Sequence, residues 1–376
     1  MKLAIICRPF VFHGGLETAT AGLVGTLVQQ GHEVHLFSTA GQREVPGVRL
    51  HRLRVIGTPA LARVVSFALA ARAAVSREKF DVVQSHERTL LQDVYRAGEG
   101  CHRAYLEIKA RRLGPLARAA LVASPYHRTL LALERRIFSP AGTRRIVAIS
   151  RLGQVEAQRL YGLPDARVSV IYNGVDQARF DPANRGRYGG ETRAAFGIDR
   201  AAWVVLFVGS GFARKGLGPL IRALALLADP AMRLLVVGKG APGAYRTLAR
   251  RLGVGERLVW AGPQPAVERF YAAADAVALP AVYEPFGNVH LEALASGLPV
   301  LASSRAGGSE VVSHGKNGWI LQDPEDPEEI RAGLRTLRET GADWRDVARA
   351  AALPFTYEVQ ARRFVELYRS LGAPQP

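Results

Sequence analysis

The chain has 376 residues, which is too long for one ordinary hydrophobic core and predicts two domains of under about 200 residues each. Its composition, 48% apolar and 22% charged, is typical of a globular protein and excludes low-complexity and fibrous classes. The net charge of +17 lies mainly in residues 1–180, which carry 26 Lys and Arg against 13 Asp and Glu, so an anionic partner is favoured.

Cysteine usage and hydropathy argue against a secreted or membrane-spanning protein. Cys7 and Cys101 cannot make a disulfide framework and lack metal-ligand spacing, so we expect a reducing, cytoplasmic setting. The apolar run Leu3–Cys7 is too short for a signal-peptide core. The longest apolar-rich stretch, 60–75, contains Arg63 and Arg72, which excludes a membrane span.

Short β-rich runs alternate with amphipathic helical stretches along the whole chain. The runs predict strands at 3–7, 33–38, 48–53, 81–85, 145–149, 203–208, 233–237, 257–260, 276–279 and 299–302. Alanine-rich stretches predict helices at 16–30, 60–77, 217–228 and 326–339. Such alternation favours two α/β domains with parallel sheets, whose ligands bind at the carboxyl ends of the strands. The Gly- and Arg-rich tract 181–197 predicts the linker between domains at 1–180 and 198–355.

A glycine pair, Gly14-Gly15, follows the first strand and precedes a helix that carries Glu17 in its first turn. Glycines let the backbone approach a ligand closely, and the helix supplies a positive amino end. The spacing is not G-x-G-x-x-G, and the second strand ends without an acid that could bind a ribose. A dinucleotide-dependent dehydrogenase is therefore disfavoured, and a tight turn is the alternative to a ligand loop.

Glu99 lies between two glycines in the segment 96–102, which ends in His102. Its carboxylate could orient or deprotonate an acceptor hydroxyl, and His102 is the alternative for that role. A polar loop with no catalytic role explains both residues equally well. His86, at the end of the strand 81–85, is a further candidate, although a single histidine there is more often structural.

Residues 102–145 hold ten Lys and Arg against two Glu, with leucines between them. A basic, leucine-bearing helical segment suits an anionic membrane surface or a phosphorylated acceptor. Nucleic acid is the competing partner of a basic protein, but zinc-finger spacing, RNP-type aromatics and basic-region heptads are absent, so we expect no nucleic acid. A solvated basic face is the remaining alternative.

Two consecutive cations, Arg214 and Lys215, follow the predicted strand 203–208 in the segment 209–215. Exposed cations at the carboxyl end of a strand suit a diphosphate, although adjacent Arg-Lys on a surface turn often has no function. No D-x-D pair occurs in the chain, so we expect these cations, rather than a divalent metal, to stabilise the charge of a leaving diphosphate.

Two carboxylates eight residues apart, Glu284 and Glu292, flank a predicted strand-to-helix turn. Glu284 precedes a proline and should lie on the loop, whereas Glu292 and Asn288 share one face of the following helix. Together with the free backbone N–H groups expected at Gly287 and Asn288, these carboxylates suit a polyhydroxylated, phosphorylated ligand. A surface loop with ordinary glutamates is the alternative.

Four segments in this order resemble the motifs of retaining glycosyltransferases of family 4, which have the GT-B fold. They are Gly14-Gly15-Leu16-Glu17, Tyr172-Asn173-Gly174-Val175-Asp176, the segment GSGFARK at 209–215, and the pair of glutamates around Pro285–Leu291. Several segments are also similar to those of lipopolysaccharide core heptose glucosyltransferases. The resemblance covers nearly the whole chain and implies two Rossmann-like domains that face an interdomain cleft. It also implies that the terminal helix at 356–376 packs on the first domain.

The resemblance further implies the roles of the site residues. Glu284 would contact the donor sugar, Glu292 the nucleotide ribose, the backbone of 286–288 the sugar and phosphate, and Arg179 the diphosphate. The donor would be a UDP-sugar such as UDP-glucose or UDP-GlcNAc, the acceptor a cell-envelope glycan or glycolipid, and no cofactor is expected. The enzyme would be cytoplasmic and peripherally attached to the inner face of the membrane. A sugar-nucleotide epimerase and a non-catalytic scaffold are the rival classes.

Overall fold

We describe a computed structural model of the chain, which defines residues 1–10, 15–340 and 343–372. It contains two compact units. The first comprises residues 1–10, the segment Leu16–Tyr172 and the terminal helix beginning at Tyr357, and the second comprises Gly15 and Asn173–Thr356. Each unit has its own parallel sheet covered by helices, so both are Rossmann-like, as predicted.

The first unit is built on a seven-stranded sheet in the order β3-β2-β1-β4-β5-β6-β7. Its strands are β1 Lys2–Ile6, β2 Glu33–Thr39, β3 Val48–Leu53, β4 Val82–Ser85, β5 Val94–Ala97, β6 Arg145–Ala148 and β7 Val168–Val170. Its helices are α1 Gly15–Gln29, α2 Ala60–Val75, α3 His102–Arg111, α4 Pro115–Ala123, α5 Pro125–Phe138 and α6 Arg151–Tyr161. Every neighbouring pair of strands is parallel, and the central strands β1, β4 and β5 are buried on both faces.

The second unit is built on a six-stranded parallel sheet in the order β10-β9-β8-β11-β12-β13. Its strands are β8 Trp203–Val208, β9 Met232–Val237, β10 Leu258–Gly262, β11 Ala276–Leu279, β12 Val300–Ser303 and β13 Gly318–Leu321. Its helices are α7 Gly190–Ala195, α8 Leu217–Leu226, α9 Gly243–Arg251, α10 Glu268–Ala273, α11 Val289–Ala295, α12 Pro327–Thr340 and α13 Arg345–Ala352.

The predicted linker at 181–197 is instead an ordered part of the second unit. A short π-helical turn at Arg185–Gly189 leads directly into α7. The Arg193 side chain is buried, and its Nη2 donates to Asp275 Oδ2 at 2.8 Å. The glycines and arginines were interpreted as linker composition. In the structure, Gly189 packs closely on the Ala272 carbonyl oxygen, and Arg193 donates hydrogen bonds to three carbonyl oxygens. The change of unit lies earlier, at Tyr172–Asn173.

The last helix, α14 (Tyr357–Gly372), belongs to the core of the first unit. Phe364 and Tyr368 are buried with Leu3, Ile5 and Leu23. Gly22 of α1 permits this packing, because a Cβ atom there would lie 2.4 Å from the Tyr357 ring. The burial of these large apolar side chains holds the end of the chain on the first sheet.

Candidate functional site

The order of the second sheet reverses between β8 and β11, which lie side by side at its centre. In open α/β sheets, ligands bind at such a reversal, beyond the carboxyl ends of the two strands. The segment after β8 contains Arg214 and Lys215, and the segment after β11 contains Glu284. The strand order alone therefore brings two distant parts of the sequence to one edge.

The two cations and Glu284 form a compact ion cluster. Arg214 Nη1 donates to Glu284 Oε2 at 2.9 Å and to the Tyr283 carbonyl oxygen at 2.8 Å. Lys215 Nζ lies 2.9 Å from the same Glu284 oxygen. Lys215 is only 8% exposed, so the expectation that both cations are exposed is wrong for Lys215.

Electrostatics keep the Glu284 carboxylate ionised. Burial alone would raise its pKa, but the adjacent Lys215 and Arg214 outweigh burial and hold the pKa below its usual value. Gly209 provides the space for Lys215, since a Cβ atom at this position would lie 2.6 Å from the lysine Cδ and Cε. Its φ of +143° also favours glycine.

The turn between Glu284 and α11 is shaped by a buried histidine. His290 Nδ1 donates to the Gly287 carbonyl oxygen at 2.7 Å, and burial lowers the His290 pKa to about 4, so the ring is neutral. Gly287 has a φ of +83°, which a side chain would strain. Asn288 Oδ1 accepts a hydrogen bond from Asn173 Nδ2 at 2.6 Å, which joins two of the sequence motifs.

Glu292 differs from Glu284 in its environment. It is 8% exposed within α11, and its Oε2 accepts a hydrogen bond from the Tyr271 hydroxyl at 2.6 Å. Burial raises the pKa of the Glu292 carboxyl, and the Tyr271 hydroxyl partly opposes that effect. The two glutamates therefore have pKa values shifted in opposite directions.

Arg179 was predicted to reach a diphosphate, but in this structure its guanidinium is bound to the segment before α10. Its Nε donates to Glu268 Oε2 at 2.8 Å, and its Nη2 donates to the Pro265 carbonyl oxygen at 3.0 Å. The Arg179 charge nevertheless opposes the rise that burial causes in the Glu292 pKa. It thus lies on the Glu292 side of the site.

In the first unit, Glu99 is bound by two arginines from neighbouring strand ends. Its Oε1 accepts from Arg8 Nη2 at 2.6 Å, and its Oε2 accepts from Arg88 Nη1 at 3.3 Å. Burial opposes ionisation of Glu99, but Arg8 and Arg88 together lower its pKa below the usual value. Glu99 is therefore a poor proton acceptor here, and its carboxylate instead binds and orients two guanidinium groups.

Behind this pair lies a buried carboxylate that the sequence interpretation missed. Glu134 Oε2 accepts from Arg88 Nη2 at 3.2 Å and from the His102 backbone N–H at 2.6 Å. The Tyr161 hydroxyl also donates to Glu134. The carboxylate thus satisfies the amino end of α3 while it positions Arg88. Residues this distant in sequence have no spacing signal that could reveal the contact.

His102 itself lies next to another histidine. Its Nε2 is 3.1 Å from His127 Nδ1, so one of the two rings donates to the other. Burial, aided by the Arg88 charge, lowers the His102 pKa to about 4. The ring is therefore neutral near pH 7, with its Nε2 already engaged.

The glycine pair after β1 is only partly covered by the structure. Gly14 lies outside the described residues, and Gly15 begins α1. Glu17 is half-buried in the first turn of that helix, where a negative charge is favourable. His86 is a structural residue, because it is buried within hydrogen-bond distance of Thr20 and Gln84.

Comparison with known proteins identifies the family. A model described as glycosyl transferases group 1 matches residues 190–352, and a model described as glycosyltransferase family 4 matches residues 13–179. A probable transglycosylase of Burkholderia thailandensis is 32% identical over 380 residues, which cover 99% of this chain and 97% of the relative. The chain belongs to the family 4 glycosyltransferases, with the GT-B fold.

Two further proteins that are similar to this glycosyltransferase differ from each other in function. A D-inositol 3-phosphate glycosyltransferase of Actinosynnema mirum is 30% identical over 377 residues, covering 90% of this chain and 84% of the relative. The crystal structure of WaaG, a glycosyltransferase involved in lipopolysaccharide biosynthesis, has a TM-score of 0.83 and 25% identity. It covers 97% of this chain and 99% of WaaG. The fold and the family were therefore predicted correctly from the sequence.

Proposed function

We propose that this glycosyltransferase moves a sugar from a nucleotide-diphosphate donor, a UDP-sugar, to a phosphate-bearing glycan of the cell envelope, and that it retains the anomeric configuration. The observation that carries the proposal is the pair of cations, Arg214 and Lys215, on one carboxylate at the reversal of the second sheet. A diphosphate offers the same cations more negative charge than Glu284 does.

In the proposed reaction, the two cations and Glu284 have different roles. As the bond between the anomeric carbon and the phosphate oxygen breaks, the leaving diphosphate gains negative charge, and Arg214 and Lys215 stabilise it. A new bond forms between the anomeric carbon and the acceptor oxygen on the same face. The acceptor proton passes to the leaving phosphate oxygen. Glu284, released from the cations, accepts hydrogen bonds from sugar hydroxyls.

No metal enters this scheme, because the two cations supply the positive charge that a divalent ion would otherwise provide. The Glu292 carboxylate accepts hydrogen bonds from the nucleotide ribose, and the Tyr271 hydroxyl orients that carboxylate. The backbone of Phe286, Gly287 and Asn288 supports the sugar and phosphate.

The arginine pair around Glu99 supports an acceptor that carries phosphate. Arg8 is 44% exposed at its side chain, and Glu87 and Glu99 fix its orientation. Its Nε and Nη2 are held by these two carboxylates, so Nη1 is the group that would donate to an acceptor phosphate. Lipopolysaccharide core is the acceptor that the similarity to WaaG supports. A soluble phosphorylated polyol is the second candidate, which the inositol-phosphate relative favours.

The proposed membrane attachment rests on α4 and its flanks. Leu116 and Val122 are 88% and 70% exposed, and Arg111, Arg112 and Arg118 are exposed beside them. Apolar side chains next to arginines suit an anionic lipid surface. Within the described residues, no helix is both long and apolar enough to cross a bilayer.

The decisive experiment supplies radiolabelled UDP-, ADP- and GDP-sugars with three acceptors: none, lipopolysaccharide with a truncated core, and inositol phosphate. We expect slow hydrolysis of one UDP-sugar alone and fast, configuration-retaining transfer to the truncated core. Transfer to inositol phosphate alone would replace the acceptor in the proposal. An epimerised nucleotide sugar would overturn transfer, and failure to bind UDP in calorimetry would overturn the donor assignment.

A further inference from the structure

A second cluster of polar side chains lies on the first sheet, away from the segments that follow its strands. His35 is in β2, His51 is in the neighbouring strand β3, and Glu78 lies between α2 and β4. His35 Nδ1 is 2.9 Å from His51 Nε2 and 3.4 Å from Glu78 Oε2. One potential ligand atom from each of these three side chains lies within 4.8 Å of the other two. Among residues 1–10, 15–340 and 343–372, no other group of three His, Cys, Asp or Glu side chains has this arrangement.

The chemical state of His35 is set by a carboxylate on its far side. His35 Nε2 lies 3.0 Å from Glu33 Oε1, and Arg49 Nη1 holds the same oxygen at 2.9 Å. Carboxylates face both ring nitrogens, but the Glu33 contact is shorter than the 3.4 Å Glu78 contact, which favours the proton on Nε2 and the lone pair on Nδ1. A histidine that binds a metal is oriented by such a contact from its other nitrogen.

The surroundings of His35 are rigid. The ring is 1% exposed and packs edge-on against Phe80 at a centroid distance of 5.0 Å. His51 packs on Phe37 at 4.3 Å but is only half-buried on the edge strand β3. The His35 ring is therefore held in one position, whereas the His51 ring can adjust.

We propose that His35 Nδ1, His51 Nε2 and Glu78 Oε2 form a binding site for a divalent transition metal, with Zn²⁺ as the ion that fits the donor set. Two imidazoles and one carboxylate, completed by water, are a common tetrahedral set for zinc. Zinc–nitrogen bonds of 2.0–2.1 Å place two tetrahedral ligands about 3.3 Å apart. The histidine nitrogens must therefore separate by about 0.4 Å on binding, which the edge position of His51 allows.

Lys2 is the internal competitor for this ion. Its Nζ pairs with Glu78 Oε1, the carboxylate oxygen that the metal does not need, and lies 5.5 Å from the centroid of the Phe80 ring. Because Lys2 is paired with the same Glu78 carboxylate that would bind the metal, its positive charge opposes cation binding. If the metal binds at this site, removal of the Lys2 charge should therefore increase the affinity for the metal.

The bound ion would connect β2, β3 and the segment before β4. Glu33 begins β2 and Glu78 precedes β4, so the cluster lies toward the amino ends of these strands. Ligand binding and transfer belong to the carboxyl ends in this fold. The proposed metal is therefore structural, and this inference is independent of the proposed function.

The test uses the full chain without a histidine tag, stripped of metal with a chelator and titrated with Zn²⁺ against a chromophoric competitor. We expect one ion per chain and a higher thermal unfolding midpoint. His51→Ala and Glu78→Gln should abolish binding, and Glu33→Gln should weaken it by about 10- to 100-fold. Lys2→Gln should tighten it by about tenfold. Circular dichroism checks that each variant folds.

His127→Ala is the matched control, because His102 and His127 also lie 3.1 Å apart but are not part of such a three-ligand group. This variant should bind zinc as the wild type does. The proposal is overturned by the absence of saturable binding, by binding that survives both His51→Ala and Glu78→Gln, or by an equal loss in His127→Ala. Weaker binding by Lys2→Gln would also contradict the proposed geometry.

Discussion

Lys215 Nζ lies 2.9 Å from Glu284 Oε2, although the two residues are 69 positions apart in the chain. Both side chains are largely buried; burial raises the pKa of Glu284, but the Lys215 and Arg214 charges outweigh burial and keep the carboxylate ionised. A carboxylate thus occupies the cations in the ligand-free protein. In the proposed reaction, the donor diphosphate would take the place of this carboxylate on the two cations.

Replacement of Lys215 by alanine should lower the turnover number by about 100- to 1000-fold, because one electrostatic contact to the leaving group is worth about 2.7–4 kcal/mol. Arg214→Ala should have a similar effect. Steady-state kinetics with the best UDP-sugar provide the measurement. Arg222→Ala is the control, since Arg222 is an exposed cation on α8. Wild-type rates in both site variants would contradict the cation assignment.

The same lysine variant should also be less stable. Lys215→Ala leaves Glu284 with one cation fewer in a buried position, which typically costs about 1–3 kcal/mol. We expect a lower thermal unfolding midpoint than for Arg222→Ala. Addition of UDP should not restore it fully, because the ligand loses the same contact. An unchanged midpoint would mean that the ion pair contributes no net stability.

The contribution of Glu284 to stability should depend on pH in a defined direction. Its pKa is lowered in the folded protein, so its contribution is present above the unfolded value of about 4.3 and is lost as the pH falls through the lower folded value. The stability advantage of wild type over Glu284→Gln should therefore be full at neutral pH and shrink below about pH 4. Thermal unfolding across pH measures it, with the exposed Glu339→Gln as the control. A constant difference would refute the ionised pair.

Tyr271→Phe should make UDP binding more sensitive to acid. Burial raises the pKa of Glu292, and loss of the Tyr271 hydroxyl removes a hydrogen bond to the charged form, which raises that pKa further. If the Glu292 carboxylate binds the ribose, UDP affinity should fall at a higher pH in the variant than in wild type. Calorimetry over a pH series tests this, with Tyr245→Phe as the control. Superimposable pH profiles would exclude the ribose assignment.

Sugar transfer should proceed without a divalent metal. Treatment with EDTA should leave the initial rate near its original value, because Arg214 and Lys215 neutralise the diphosphate. The same treatment should lower the thermal unfolding midpoint if zinc occupies the His35 cluster. A rate that returns only with added magnesium or manganese would contradict the cation mechanism and would leave the zinc proposal untouched.

The membrane proposal predicts selective binding to anionic vesicles. The triple variant of Arg111, Arg112 and Arg118 to glutamate should reduce sedimentation with such vesicles, since each cation near the surface contributes about 1 kcal/mol before screening. The double variant Leu116→Ser, Val122→Ser should abolish the fraction of vesicle binding that persists at high salt.

Control variants separate this patch from general charge. Charge reversal of Arg222, Arg250 and Arg251, which are exposed on the second unit, should leave vesicle binding unchanged. Neither triple variant should lose UDP affinity. Equal uptake by anionic and zwitterionic vesicles, or none by either, would reduce the patch to a solvated face.

Helix and strand positions were predictable where the apolar pattern was long. The predicted helices at 60–77 and 217–228 correspond to α2 and α8 within a few residues. The runs that became β7 and β13 were not assigned as strands, because β7 has only three residues and β13 begins with a glycine, so neither is an apolar run of four residues. The segment 181–197 was misassigned because its glycines and arginines resemble a linker until their contacts with α10 and Asp275 are known.

The sequence by itself determined the family, the two parallel sheets and the local motifs, since these follow from residue order and spacing along one chain. Only the tertiary structure decided which charges meet. Lys215 with Glu284 and Arg8 with Glu99 are joined by strand order, which brings the ends of non-consecutive strands together, whereas Glu134 reaches Arg88 from α5. Because burial and neighbouring charge set a carboxyl pKa, the opposite shifts of Glu284 and Glu292 could arise only once that packing existed.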